Sequence, residues 1–367
     1  MFAALRRWRD EIGDTYVLGG VRIVLGFLLF TNAVRALREL QDGYFGDVFH
    51  WPMVPEAWVP SRTNYVLIVG LQLILSALVV AGYRARSALF ASAVLLAYVM
   101  ACDRAQFHNN RVALAYYAFL LSFAPCDRSF LVGRPSPPAT RVAPLWAARV
   151  AQAQVSIVYL ASGGSKLFDP DWRSGRVIFE RFVLFGQTAV ENNVPATAVR
   201  WMTQPEVGSV LAKLAIATEL LLAVGLWLRG SRIVALWWGV WFHLTIEATS
   251  RVEGFTWMTL AMYALFVTPE VRTRALYYDR SRPLGRALAR SVTLLDWFAR
   301  FEVKQSAPGD LERGQAIAVV RRDGTRVTGI AAAATIARCV PALFPLWAPL
   351  QLCAPYPRPP PSCHSPR

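Results

Sequence analysis

The sequence predicts an all-α polytopic membrane protein of about eight transmembrane helices, with a small cytoplasmic C-terminal tail of α+β or helical structure. Apolar residues make up 55% of the 367, and mean hydropathy is positive at +0.34. They come in long blocks rather than in the alternation of a half-buried soluble core. Arginines, by contrast, gather in the short segments between the blocks.

Eight apolar blocks are legible: 17–37, 65–82, 87–101, 112–125, 145–163, 207–228, 233–247 and 254–268. The third, fourth and eighth fall short of the roughly 20 residues a straight span needs. The N-terminal "MFAALRRWRDEIGDTY" resembles a secretory leader but has no small-residue cleavage site, and the apolar run after it continues into "NAVRAL". It reads as an uncleaved anchor. With that end inside, the short inner segments hold ten arginines (6, 7, 9, 84, 86, 128, 134, 141, 229 and 232) and the short outer ones five (38, 62, 104, 111 and 251). Seven more lie between Arg272 and Arg300. The bias places both termini in the cytoplasm of a plasma-membrane protein. The net charge of +15 then reads as topology and contact with anionic membrane lipid, not as a nucleic-acid surface, since it is spread around hydrophobic spans.

The tail is read in three pieces after a transmembrane domain at 1–269. Residues 270–303 are basic and amphipathic, as expected of a helix lying on the inner membrane surface. Residues 304–353 read as a strand, an Asp-Gly turn, a second strand and one or two helices, and weakly resemble the second half of DCC-family domains without their cysteine motif. The Pro-rich end, 354–367, reads as disordered, leaving Cys363 and His364 without a role. The five cysteines form no CxxC, and Cys102 and Cys126 fall at opposite ends of neighbouring spans, so neither a disulfide framework nor a metal cluster is expected.

Only Lys166, Lys213 and Lys304 among the 39 basic residues are lysines. A chain that writes Arg for plain positive charge has a reason to write Lys, because a desolvated amine can shed its proton and a guanidinium cannot. Lys166 ends a helical stripe of polar and small residues, Gln152, Ser156, Tyr159, Gly163 and Lys166. That stripe is read either as a site or as a helix-packing seam. His50, His108 and His243 fall on the same expected outer rim as Lys166, with Asn109, Asn110, Asp169, Asp171, Glu247 and Glu253. Glu219, in mid-span, must be neutral, paired or in a cavity. Lys213 needs only to reach the interface.

The stretch "YLASGGSKLFDPDWRSG" closely resembles the Y-x-x-A-G-x-x-K-L-x-x-x-W-x-x-G signature of the vitamin K-dependent gamma-carboxylase group and its bacterial relatives, the HTTM (horizontally transferred transmembrane) proteins. "FHNNRVALAYYAFLLSF" and "WFHLTIEATSRVEGFTWMTLAMY" resemble two further segments of that group, in the same order. The resemblance implies that Lys166 matches a catalytic base acting on reduced vitamin K ahead of glutamate carboxylation. It implies a reduced quinone as cofactor, and binding roles for Asn109, Asn110 and Trp172; the outer rim, the helical stripe and the mid-span carboxylate add His108, His243, Tyr159 and Glu219 as candidate binding residues. Two departures stand out. The family's histidine after the asparagine pair is Arg111 here, which bears on carboxylation more than on the quinol half, and Phe168 lengthens the lysine-to-tryptophan spacing.

Three functions follow as expectations: a quinol-linked enzyme of the outer face, a lipid or quinone binding or transport protein without chemistry, and a membrane scaffold. Topology is the first thing to test. A reporter active only outside the cytoplasm should work when fused near Thr188 and fail when fused after Arg290; the reverse pattern would put the Lys166 rim on the inner face.

Overall fold

The computed structural model describes residues 10–41, 43, 45, 50–133, 142–250, 252, 254–267, 274–307, 311 and 315–354. The chain divides into two compact units, Met1–Glu270 and Val271–Arg367. The first is mostly helical. A short strand, β1 (Ile12–Asp14), leads into α1 (Tyr16–Gln41), followed by α2 (Arg62–Ala81), α3 (Ala85–Cys102) and α4 (Asn109–Ser122). Strand β2 (Val142–Pro144) pairs antiparallel with β1 and starts α5 (Trp146–Phe168). Three shorter helices, α6 (Pro170–Ser174), α7 (Arg176–Glu191) and α8 (Ala196–Met202), precede α9 (Pro205–Gly225), α10 (Arg232–Thr249) and α11 (Phe255–Ala264).

Every apolar block of the sequence contains a helix, but the blocks are not equivalent. Among the described residues, four helices are long and apolar enough to cross a membrane: α1, α2, α3 and α9. Of the eight spans expected, these four have both the length and the apolarity for a crossing. Helix α4 has 14 residues and α11 has 10, below the roughly 20 that a bilayer needs. Helices α5 and α10 have the length, with 23 and 18 residues, but are diluted by polar side chains such as Gln152, Gln154, Lys166, His243 and Glu247. Lys166 and His243 among them belong to the candidate site.

One buried cation ties the first unit together. Arg22, in α1, is fully buried. Its Nη1 donates to the Val79 carbonyl at 2.7 Å and the Val80 carbonyl at 3.3 Å, in the last turn of α2. Its Nη2 donates to the carbonyls of Phe130 at 2.8 Å and Ser129 at 3.2 Å, in the turn beyond α4. The last carbonyls of a helix have no intrahelical donor and carry the negative end of its dipole, so a guanidinium there satisfies both. Gly82 makes the approach possible. It caps α2 at φ +81°, and a Cβ there would meet Arg22 Nη1 at 2.4 Å.

The second unit is an α/β layer, which corrects the reading of its first part. Residues expected as one amphipathic surface helix form strand β3 (Arg274–Tyr278), helix α12 (Pro283–Leu295) and strand β4 (Phe301–Gln305). Strands β3 and β4 are parallel, as a strand–helix–strand crossover requires. The sheet continues through β5 (Ile317–Val320) and β6 (Arg326–Thr328) in the order β4-β3-β5-β6. The segments at 270–303 and 304–353 therefore share one sheet. Helix α12 is amphipathic, as read, but its apolar side, Gly285, Ala289 and Val292, is buried. Val292 packs with Leu276, Ile317, Val319, Ile336 and Val340. The Asp323-Gly324 turn joins β5 to β6 as the sequence reads, with Gly324 at φ +82°. Helices α13 (Gly329–Cys339) and α14 (Trp347–Cys353) follow. Burial raises the Asp296 carboxyl above the ordinary carboxylate range, and its Oδ2 accepts the Phe301 N–H at 2.7 Å. Residues 355–367, with Cys363 and His364, lie outside the described residues.

Replacing Arg22 by Met should lower the thermal midpoint of the detergent-purified protein sharply, with a loss of about 3 kcal/mol for carbonyls left buried without donors. Gly82→Ala should cost at least about 1–2 kcal/mol through its left-handed backbone alone. Midpoints equal to that of the parent protein would refute the assignment.

Candidate functional site

The Lys166 site is built from the end of α5 outward. Asp169 stops that helix and caps the next, its Oδ1 accepting the backbone N–H of Asp171 at 2.8 Å and of Trp172 at 3.4 Å, with Pro170 in the first turn of α6. The sharp reversal brings the Trp172 ring beneath the lysine, whose Nζ lies 4.8 Å from the ring centroid. Gly175 closes α6 at φ +87°, where a Cβ would sit 2.3 Å from the backbone of Ser209 in α9. Only glycine fits both demands, so the glycine of the W-x-x-G stretch is what lets α6 and α7 lie against α9.

Lys166 itself is 17% exposed and makes two polar contacts. Its Nζ donates to Ser162 Oγ at 2.7 Å, one turn back on α5, and to Glu219 Oε1 at 2.5 Å, on α9. Glu219 is thus the paired carboxylate that its mid-span position demanded. Its second oxygen, Oε2, is buried and accepts no hydrogen bond among the described residues. A carboxylate has room for several donors, so this oxygen is an open acceptor beside a cation.

A second buried group lies alongside. Tyr159 OH is 2.5 Å from His243 Nε2 on α10 and 2.5 Å from Tyr263 OH on α11. The phenyl ring of Phe255 packs against His243, with centroids 5.4 Å apart. Gly239 lets Tyr263 in, since a Cβ there would meet its hydroxyl at 2.4 Å. His243 is 1% exposed and its Nδ1 has no partner among the described residues. Glu219 is within electrostatic range of both tyrosines, and Lys166 of His243. Five titratable side chains from α5, α9, α10 and α11 therefore share one buried neighbourhood. Which ring nitrogen of His243 carries the proton decides whether Nδ1 offers a donor or an acceptor.

Of the residues singled out in the sequence, Lys166, Trp172, Tyr159, Glu219 and His243 come together. The asparagine pair takes other positions. His108 caps α4, its Nδ1 accepting the Asn110 N–H at 3.2 Å, and Asn109 is exposed in the first turn. Asn110 lines a separate cleft between α1, α4 and α11, beside Arg111. Arg111, at the position of the family's histidine, is held by Glu39 at 2.8 Å and by Gln106. His50 pairs with Asp103 at 3.1 Å. Lys213 is exposed on α9.

The polar stripe on α5 divides in two. Gln152 Nε2 donates to the Leu265 carbonyl at 2.7 Å and Ser156 Oγ accepts from Trp227 Nε1 at 2.7 Å, so that half is a helix-packing seam. The half from Tyr159 to Lys166 is the site. Sequence reasoning missed Tyr263 and Ser162. Ser162 was findable as the residue four before the lysine on the same helix; Tyr263 carried no signal beyond a hydroxyl in an apolar run.

A family model described as the HTTM domain matches residues 12–270. No solved structure matches the chain.

If Lys166 and Glu219 hold each other in a water-poor site, Lys166→Met should destabilise the protein by about 3–5 kcal/mol, because it strands a buried carboxylate. The double variant Lys166→Met with Glu219→Leu should regain most of that loss. Thermal unfolding of the two in detergent tests this, and a double variant as unstable as the single one would contradict it.

Proposed function

The chain belongs to the HTTM family, and from that premise we propose that it is a membrane enzyme whose lysine, Lys166, acts as a base on a reduced quinone at the outer membrane face. In this reading the four helices that are too short or too polar to count as spans complete an eight-helix bundle. Both termini face the cytoplasm. The observation that carries the proposal is the Lys166–Glu219 contact of 2.5 Å, with the second carboxylate oxygen left open.

The donor set fits a quinol. A ring hydroxyl needs an acceptor, and Glu219 Oε2 and His243 Nδ1 are the buried polar atoms of this neighbourhood with no partner among the described residues. A reduced quinone, when bound, supplies the electrons that activate oxygen. The chain's own part is proton handling. With its proton parked on Glu219, the Lys166 amine accepts a proton from a hydroxyl at Nζ. The ammonium so formed is stabilised by Ser162 Oγ, by the negative face of Trp172 and, once Glu219 has released its parked proton to solvent, by the Glu219 carboxylate, which together favour the charged product over the neutral amine. An arginine would keep its proton throughout. Arg111, engaged by Glu39 and Gln106, gives no support for a carboxylation half of the chemistry at its position.

The same clamp on Lys166 also favours a second reading, a quinone or lipid binding or transport protein in which the lysine is a fixed cation. Activity separates the two. Supplied with reduced naphthoquinone in detergent, the parent protein should consume it in an oxygen-dependent reaction followed by absorbance. Lys166→Arg should slow that reaction at least about a hundredfold, in line with the usual contribution of a general base. Lys213→Arg should leave it unchanged. Consumption by Lys166→Arg at the parent rate would exclude the base. Co-purifying quinone in a protein that turns nothing over would favour the binding reading.

A further inference from the structure

A second cleft lies apart from the Lys166 neighbourhood, between α1, α4 and α11. It is lined by Leu28, Thr31, Asn32 and Arg35 of α1, by Asn110, Arg111 and Leu114 of α4, and by Gly254 and Met258 at the start of α11. Its volume is about 430 Å³, counting the space at its open mouth. Its lining mixes apolar side chains, Leu28, Leu114 and Met258, with guanidinium, amide and hydroxyl groups. Among the described residues that line it, none is acidic.

Three features give this cleft a ligand chemistry. Arg111 is fixed rather than loose, because Glu39 accepts from its Nη2 at 2.8 Å and Gln106, itself buried, holds its Nη1 while donating to Glu39 at 3.0 Å. A guanidinium held in place loses little freedom when an anion arrives. Asn110 and Arg111 stand in the first turn of α4, a 14-residue helix whose N-terminal dipole adds to the same sign. The third feature is access. Thr31 is exposed, one turn beyond Phe27, which is 55% exposed on α1, a helix long and apolar enough to cross a membrane. The mouth of the cleft therefore sits beside a surface that faces acyl chains, and a ligand enters sideways from the lipid.

We infer that this cleft binds the anionic headgroup of a lipid-chain molecule, with the phosphate or carboxylate on Arg35, Arg111 and Asn110 and the start of the chain along Leu28, Leu114 and Met258. The inference goes beyond the base chemistry of Lys166 and shares no residue with it. The oxyanion chemistry is common to free phosphate and to a lipid, and the exposed Phe27 one turn from Thr31 on an apolar helix, with Leu28, Leu114 and Met258 in the lining, favours the lipid.

Native mass spectrometry of the full chain in detergent tests it, with phosphatidylglycerol, phosphatidylcholine of the same chains, and inorganic phosphate as probes. Phosphatidylglycerol should bind at least tenfold more tightly than phosphatidylcholine and should not be displaced by millimolar phosphate. Arg35→Gln should weaken it at least tenfold. Leu114→Trp, which fills the cleft without touching a charge, should do the same, so that misfolding of one variant leaves the other to decide. Arg200→Gln, an exposed arginine on α8, should bind as the parent does. Equal binding of the two lipids, displacement by phosphate alone, or parent-like affinity in both cleft variants would overturn the inference.

Discussion

A lysine and a glutamate facing each other inside a mostly apolar bundle set the terms for everything around them. Alone, either charge would cost several kcal/mol at that depth, and together they are tolerable only with close contact and added hydrogen bonds. The contact is made: Lys166 Nζ reaches Glu219 Oε1 at 2.5 Å, Ser162 at 2.7 Å and the Trp172 ring at 4.8 Å. Holding these groups in register requires α5 to end, turn and return against α9. Asp169, Pro170 and Gly175 supply that turn, and Gly175 in particular excludes any side chain, since a Cβ would lie 2.3 Å from Ser209. The rhythm of the Lys166–Gly175 stretch is thus a set of geometric demands made by one ion pair.

A pair that satisfied all its hydrogen-bonding capacity would be a structural rivet. This one does not, because Glu219 Oε2 and His243 Nδ1 are left open in the same buried neighbourhood. Arg22, with no exposure at all, spends both terminal nitrogens on four carbonyls that close the ends of α2 and of the turn after α4, and its Nε alone is without a partner among the described residues. Arg22 serves the fold. The Lys166 neighbourhood has unspent acceptors and titratable groups, which is the usual mark of a place where protons or ligands are handled.

Much of this was legible in the sequence, and the limits have physical causes. The rarity of lysine and the period of the α5 stripe located Lys166 and Tyr159, because both are local properties of one helix, and the resemblance added Trp172 in the turn after it. Glu219 and His243 were legible as costs, polar groups where the membrane disfavours them, but their partners were not. Arg22 gave no local sign of its role, since its acceptors lie 57 and 107 residues away. His108 and Asn109 were read into the site from the expected outer rim, Asn109 also by resemblance, and turn out to start α4, where a cap and a first-turn residue serve the helix end. Residues 270–303 misled for a related reason. An amphipathic helix looks the same whether its apolar side meets lipid or a β-sheet, and only the pairing of β3 with β4 distinguishes them.

The central claim is that Lys166 is controlled by Glu219, and the chain offers a direct way to see it. With three lysines in 367 residues, uniform 15N-lysine labelling yields three side-chain nitrogen resonances, from Lys166, Lys213 and Lys304. Solid-state NMR of the membrane-embedded protein would read all three at once, each assigned by its Lys→Arg variant. The account predicts that Glu219→Gln shifts the Lys166 resonance and leaves the other two in place. A Lys166 resonance that superimposes on that of the exposed Lys213, and that does not respond to Glu219→Gln, would contradict it.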